Sequence, residues 1–324
     1  MLPLSVVPFA AYFHYTPEGR LLWTRATIRL FPPTLPKVDA ADARRLARHA
    51  PHYAGGVAVL VYHGVGSSTD AEGRYSLSVE RFGEQLNALR SAGMHFITAR
   101  ELASDYRAHR PPPRNAVMIT FDDGRAEAMM LADPLLRSAG AKATMFVITG
   151  HAADHGLFYA STGALRGYAR SGRWDLESHT AAQHNMQTTA IGDLPLLTSL
   201  AKHETLAAYR RRVIADLDEA DRDLTRLTGV RPVAFAYPFG AYGADRTNDP
   251  GIRATLKDII SRRYTLAFQQ DDQATLPLVT CTDSRTVLRR LDVLPWTGAQ
   301  LLDRMKRMVH DSRINRRCVA HTAA

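Results

Sequence analysis

Apolar residues in this chain gather into short runs separated by amphipathic stretches, and the runs are rich in β-branched and aromatic side chains. Val57 to Tyr62, Ala116 to Phe121 and Ala143 to Thr149 read as strands covered on both faces, as in a parallel sheet. His95 to Ile97, Trp174 to Ser178, Val233 to Tyr237 and Tyr264 to Phe268 are further strand candidates. Helical spacing lies between them. Phe82, Leu86 and Leu89 share one face of a helix opened by Ser78 and closed near Gly93. Thr98 with Glu101 three positions on forms a capping box. After Gly124 a helical stretch is expected to break at Pro134. Leu206, Tyr209, Val213, Leu217, Ala220, Leu224 and Leu227 predict a long helix stopped by Gly229, with Arg210, Arg211 and Arg212 on a solvated face. Thr297 to His310 predicts a closing helix.

Alternation of this kind predicts an α/β fold with a parallel sheet, open or closed into a barrel. A length of 324 residues suits one large domain. Residues 1–53 read as an N-terminal extension or linker, because Pro32, Pro33, Pro36 and the basic stretch Ala40 to His49 interrupt any periodic pattern. Residues 54–324 read as the catalytic domain.

The formal net charge of +9 raises the question of a nucleic-acid partner. It comes from 36 Arg and 5 Lys scattered along the chain, without a zinc finger, aromatic RNA-binding signature or basic helix, so none is expected. No apolar run is long enough to span a bilayer. Met1 to Tyr15 is mildly apolar but lacks a basic leader and a cleavage site, and localisation stays open. Cys281 and Cys318 are too few for a disulfide framework. Oligomeric state is not encoded in any feature of the sequence.

Three segments carry chemistry. Thr120-Phe121-Asp122-Asp123-Gly124 sets two carboxylates at the carboxyl end of a strand, where α/β proteins build sites, and Gly124 permits the turn needed to bring both into one pocket. The plainer reading is a loop capping the next helix. His179 and His184 follow the strand Trp174 to Ser178, and two His plus a carboxylate suit a divalent metal. Five residues apart, they would point about 140 degrees apart on a helix, so a shared ion requires an irregular loop. Tyr237-Pro238-Phe239-Gly240-Ala241-Tyr242 is a turn that can aim a backbone N–H at an oxyanion, with aromatics as a sugar wall or as ordinary core.

In this order the segments resemble the polysaccharide deacetylases, a carbohydrate esterase family, across roughly residues 57–296. Val59 to His63, Lys142 to Val147, Ser178-His179-Thr180 and Tyr237 to Gly240 are similar to its further motifs. The resemblance implies a distorted (β/α) barrel of parallel strands. It implies Asp122 as general base, Asp123, His179 and His184 as ligands of a divalent metal, and the Phe239 N–H as oxyanion donor. Zinc is usual in the family, with cobalt, nickel or iron in some branches. The substrate implied is an N-acetylated polysaccharide, with an O-acetylated glycan or a catalytically silent sugar-binding protein as alternatives. Cell envelope or extracellular placement rests on the resemblance alone.

Two departures stand out. Most of the family separates its two His by three residues, but here there are four, with Gln183 at the usual position; that longer spacing is similar to the poly-β-1,6-N-acetylglucosamine deacetylase branch. The Arg that many relatives use to hold the catalytic Asp is replaced by Ala236, and Leu291 to Trp296 lacks the late His. His63, ending the first strand, is the candidate proton donor, ahead of His310 and His321. Tyr237, Tyr242 and Trp296 are candidates for stacking on sugar rings.

Overall fold

The computed structural model describes residues 16–66, 76–152, 157–270 and 276–312; Met1 to Tyr15, Tyr75, Cys318 and His321 lie outside them. The chain order is α1 (Pro17–Thr27), α2 (Ala40–Arg48), β1 (Gly56–Tyr62), β2 (Gly64–Val65), β3 (Ser76–Leu77), α3 (Val79–Ser91), β4 (His95–Phe96), α4 (Ala99–Arg107) and β5 (Ala116–Phe121). It continues with α5 (Ala126–Ala139), β6 (Ala143–Val147), α6 (Thr149–Ala152), α7 (Thr162–Arg170), β7 (Trp174–Ser178), β8 (Met186–Thr189), β9 (Gly192–Pro195) and α8 (Leu206–Thr228). The last elements are β10 (Ala234–Ala236), α9 (Ile252–Arg263), β11 (Leu266–Phe268), β12 (Val279–Thr280), β13 (Leu291–Asp292) and α10 (Gly298–Asp311).

The main sheet runs β11-β10-β7-β6-β5-β1, all parallel. Beside β1, β12 pairs antiparallel with its start and β13 parallel with its end. The sheet curls into a distorted barrel, and past β11 the curl continues through a bridge between Phe268 and Leu288. Side chains alternate strictly across it. Val57, Val59, Ala116, Met118, Phe146, Ala234, Ala236, Leu266 and Phe268 fill the barrel interior. Ala58, Leu60, Tyr62, Val117, Ile119, Phe121, Trp174 and Leu176 face an outer layer of helices. Phe235, Tyr237 and Ala267 pack outward against α8 and α9.

The expected caps form. Ser78 accepts from Arg81 N–H, Thr98 and Glu101 close a capping box, and Gly229 ends α8 at φ 80°. Pro134 is a correction: α5 runs through it unbroken. Its missing N–H costs one main-chain bond, but Ala132, Leu135 and Leu136 are buried around it, and packing of that face outweighs the loss.

The N-terminal extension also holds more structure than its sequence suggested. Tyr53 is buried, its N–H bonded to Asn115 Oδ1 at 2.9 Å and its hydroxyl to Ala116 O at 2.7 Å. Asn87 Nδ2 donates to Pro36 O at 2.8 Å, and a Cβ at Gly83 would stand 2.7 Å from Pro36 Cδ. His49 meets Asp303 at 2.9 Å. A chain beginning at Ala54 loses these contacts, and its Tm is expected to fall by about 5–10 °C; an unchanged melting curve would show the extension to be peripheral.

Candidate active site and metal centre

The inner-face alternation of β5, which carries Ala116, Met118 and Thr120 inward, brings Asp122 into the barrel mouth in turn. Asp123 would point the other way, but its backbone is left-handed (φ 73°), as is Gly124 (φ 81°), and the reversal swings its carboxylate to the same side. On β7 the inward series ends at His179, and Thr180 (φ 73°) turns the chain so that His184 comes back beside it. Both rings then meet Asp123. His179 Nε2 lies 3.7 Å and His184 Nε2 3.5 Å from Asp123 Oδ1.

These three residues form a donor set within 4.8 Å of one another. Asp123 Oδ2 accepts from Arg125 Nε at 3.0 Å, whereas Oδ1 is buried with no hydrogen-bond partner. A buried carboxylate oxygen without a donor is costly, and a cation between it and the imidazoles removes that cost. His179 Nδ1 donates to Ala236 O at 2.8 Å, which fixes the ring and presents Nε2 to the same point. Burial pushes the His179 imidazole down to about 4, so it is neutral, the form that ligates. The residues present fit a divalent metal.

Asp122 is held differently. Arg290 bonds it through both arms, Nη1 to Oδ1 and Nη2 to Oδ2, each at 2.7 Å. Arg290 is fully buried, with Nε on Gln269 O at 3.2 Å and its guanidinium 5.3 Å from the Phe146 ring centre. Burial raises the Asp122 carboxyl, but the charge of Arg290 and its hydrogen bonds outweigh it, and the net result lies below the usual carboxylate range. Asp122 is therefore ionised at neutral pH. The partner that the sequence lacks at Ala236 is thus supplied by Arg290, from a segment 168 residues away in sequence. Its trace was the inward pair Arg290 and Asp292 among Leu288, Leu291 and Val293.

His63 directly follows β1 at the same mouth, its Nδ1 3.9 Å from Asp292 Oδ1, and Gln270 Nε2 reaches Asp292 Oδ2 at 3.4 Å. Phe239 has a left-handed backbone (φ 58°) and is half exposed, its ring 4.4 Å from that of His184. Two aromatic candidates do not join the site as expected. Tyr237 is the outward-facing residue after Ala236, so its ring is buried against Phe235 with the hydroxyl on Thr286 O at 2.9 Å. Trp296 packs on the core with Arg304 4.9 Å over its ring. Tyr242 is half-buried near Tyr237 and Arg253.

The extra residue between the His is absorbed by a loop held by hydrogen bonds. Asp216 on α8 accepts Ala181 N–H at 3.1 Å and Ala182 N–H at 2.7 Å, Gly150 N–H donates to Ala181 O at 3.0 Å, and Gln183 N–H to Thr180 Oγ1 at 3.1 Å. The Gln183 side chain turns away to Arg212, which also holds Glu204 at 2.8 Å and Ser199 O at 3.0 Å. Arg212 is thus a correction to the solvated face expected for it: Gln183 of this loop and Leu196 O, Ser199 O and Glu204 of the segment before α8 supply its acceptors.

Residues 109–252 match the family model described as Polysaccharide deacetylase. A poly-beta-1,6-N-acetyl-D-glucosamine N-deacetylase of Staphylococcus aureus (strain MRSA252) is 29% identical over 183 residues, 56% of this chain and 59% of the relative. One of Escherichia coli O157:H7 is 26% identical over 224 residues, 63% of this chain and 33% of the relative. The alignment therefore spans about three fifths of the first relative and a third of the second. IcaB from Ammonifex degensii superposes with a TM-score of 0.61 at 24% identity, covering 78% of this chain and 97% of that one. The Streptococcus pyogenes deacetylase PplD in complex with acetate gives 0.60 at 18% identity, covering 79% and 99%. These structures share the distorted barrel.

Arg290→Met keeps the length of the side chain but leaves Asp122 buried without its partner; chemical denaturation is expected to show a loss of about 3–5 kcal/mol. Asp216→Ala is expected to weaken metal binding about 10–100-fold, read by titration calorimetry with Zn2+. Unchanged affinity would show that Asp216 has no part in holding the two His together.

Proposed function

We propose that the protein is a metal-dependent hydrolase that removes N-acetyl groups from an N-acetylglucosamine polysaccharide and releases acetate. One observation carries this reading: a carboxylate kept ionised by a buried guanidinium stands next to an Asp/His/His donor set at the mouth of a barrel. The names of the aligned relatives and the four-residue His spacing favour poly-β-1,6-N-acetylglucosamine as the polymer.

Asp123, His179 and His184 would hold the metal, and this donor set suits zinc. When bound, such an ion polarises the acetyl carbonyl and acidifies water. Asp122 takes the proton from the attacking water: Arg290 occupies one lone pair on each carboxylate oxygen, and the others remain open. The Phe239 N–H stabilises the oxyanion, a contact typically worth about 3 kcal/mol. His63, supported by Asp292, gives a proton to the departing amine. Tyr242 borders the sugar path. Reading the protein as a silent sugar binder rested on the absent third-motif Arg and the absent late His; the pairing of Arg290 with Asp122 speaks against the first of these grounds.

Acetate release from β-1,6- and β-1,4-linked N-acetylglucosamine oligomers and from O-acetylated xylan, each with and without chelator, tests the reading. Chelator-sensitive release from the β-1,6 oligomers is expected; release from xylan alone would make the protein an O-acetyl esterase. Asp122→Asn should keep metal and lose about 10² to 10⁴ in rate, whereas Asp123→Asn should lose both. Metal analysis beside the acetate assay decides it, and the opposite pattern would exchange the two roles.

A further inference from the structure

Resting on the deacetylase reading, we propose that Phe158 forms a second sugar subsite, stacking a pyranose ring of the polymer beside the residue that loses its acetyl group. Phe158 is 46% exposed, which is unusual for a ring so firmly placed. Ala126 N–H donates to Phe158 O and Ala160 N–H to Gly124 O, both at 2.8 Å, so the segment is tied on either side of Arg125. The Arg125 guanidinium lies 5.2 Å from the Phe158 ring centre while its Nε bonds Asp123 Oδ2 at 3.0 Å. The Tyr159 ring meets Phe158 edge-on at 4.9 Å. One guanidinium thus links the ring to a metal-donor carboxylate and fixes their separation.

Phe239, 48% exposed, lies against His184 on the other side. The two rings come from the connections after β6 and β10, the strands that flank β7 in the sheet. Two open aromatic faces therefore border the donor set from opposite sides. An N-acetylated sugar carries no charge, so its neighbours in a polymer can be held only through hydrogen bonds and through the apolar C–H faces of the rings, which suit a flat aromatic surface. Binding energy gained there, away from the reacting amide, is available to raise turnover.

The test is the ratio of kcat/KM for a pentamer of β-1,6-linked N-acetylglucosamine to that for the monosaccharide, which has no neighbouring ring, measured on the metal-loaded full chain. Phe158→Ala and Phe158→Leu are expected to lower that ratio about tenfold, and Phe158→Trp to preserve it. Leu keeps the apolar contact with Tyr159 without a flat face, so it stands in if the Ala variant folds poorly. A wild-type ratio in the Leu variant, or equal losses on monosaccharide and pentamer, would overturn the subsite alone. Acetate released from no oligomer by the wild-type protein would overturn the deacetylase reading, and the subsite with it.

Discussion

The buried pair between Asp122 and Arg290 is the interaction on which the barrel mouth depends. A guanidinium with no solvent access survives only if its charge and donors are matched, and here Asp122 takes both arms while Gln269 O accepts from Nε and Thr120 Oγ1 lies 3.3 Å from Nη1. These partners sit on β5 and just past β11, two strands far apart in the sheet order. Arg290 comes from the segment that closes the gap between them. The pair therefore sets the ionisation of Asp122 and also joins the barrel where the regular ladder is thinnest. Chemistry and closure share one ion pair.

Around that pair, the site is made by departures from regular backbone at strand ends. Asp123, Thr180 and Phe239 are non-glycine residues at positive φ, and they follow β5, β7 and β10. Each costs of order 1 kcal/mol, and each sits where a strand's alternation would have sent a functional group the wrong way. The surrounding hydrogen bonds hold them there: Arg125 on Asp123, Asp216 on the loop after Thr180, and Gly240 N–H on Tyr237 O at 2.9 Å across the Phe239 turn.

Much of this was legible in the sequence because its signals are local. The main strands and the caps at Ser78 and Thr98 follow from spacing and turn chemistry within a few residues, whereas the joining of Asp122 and Asp123 with His179 and His184 in one site came from the resemblance. Arg290 was not legible, since its partner lies 168 residues away and its own neighbourhood, Arg289 to Leu294, carries no motif. Arg212 and Asp216 were hidden for a similar reason. A charged residue on an amphipathic helix reads as solvated until the loop it faces is known. Tyr237 could have been placed correctly from period two alone, because Ala234 and Ala236 face inward and Tyr237 must then face the helices.

Gly150 shows how far the demands of such a site extend beyond its reacting groups. It touches no donor and carries no side chain, yet a Cβ there would stand 2.6 Å from Ala181 O, the carbonyl through which α6 steadies the histidine loop. The obstacle is main chain, which has no rotamer to escape into, so even alanine forces the loop away. In natural variation among chains with this loop length, position 150 should therefore be as restricted as the histidines themselves, and a survey of tolerated substitutions would flag it without any chemistry to explain why.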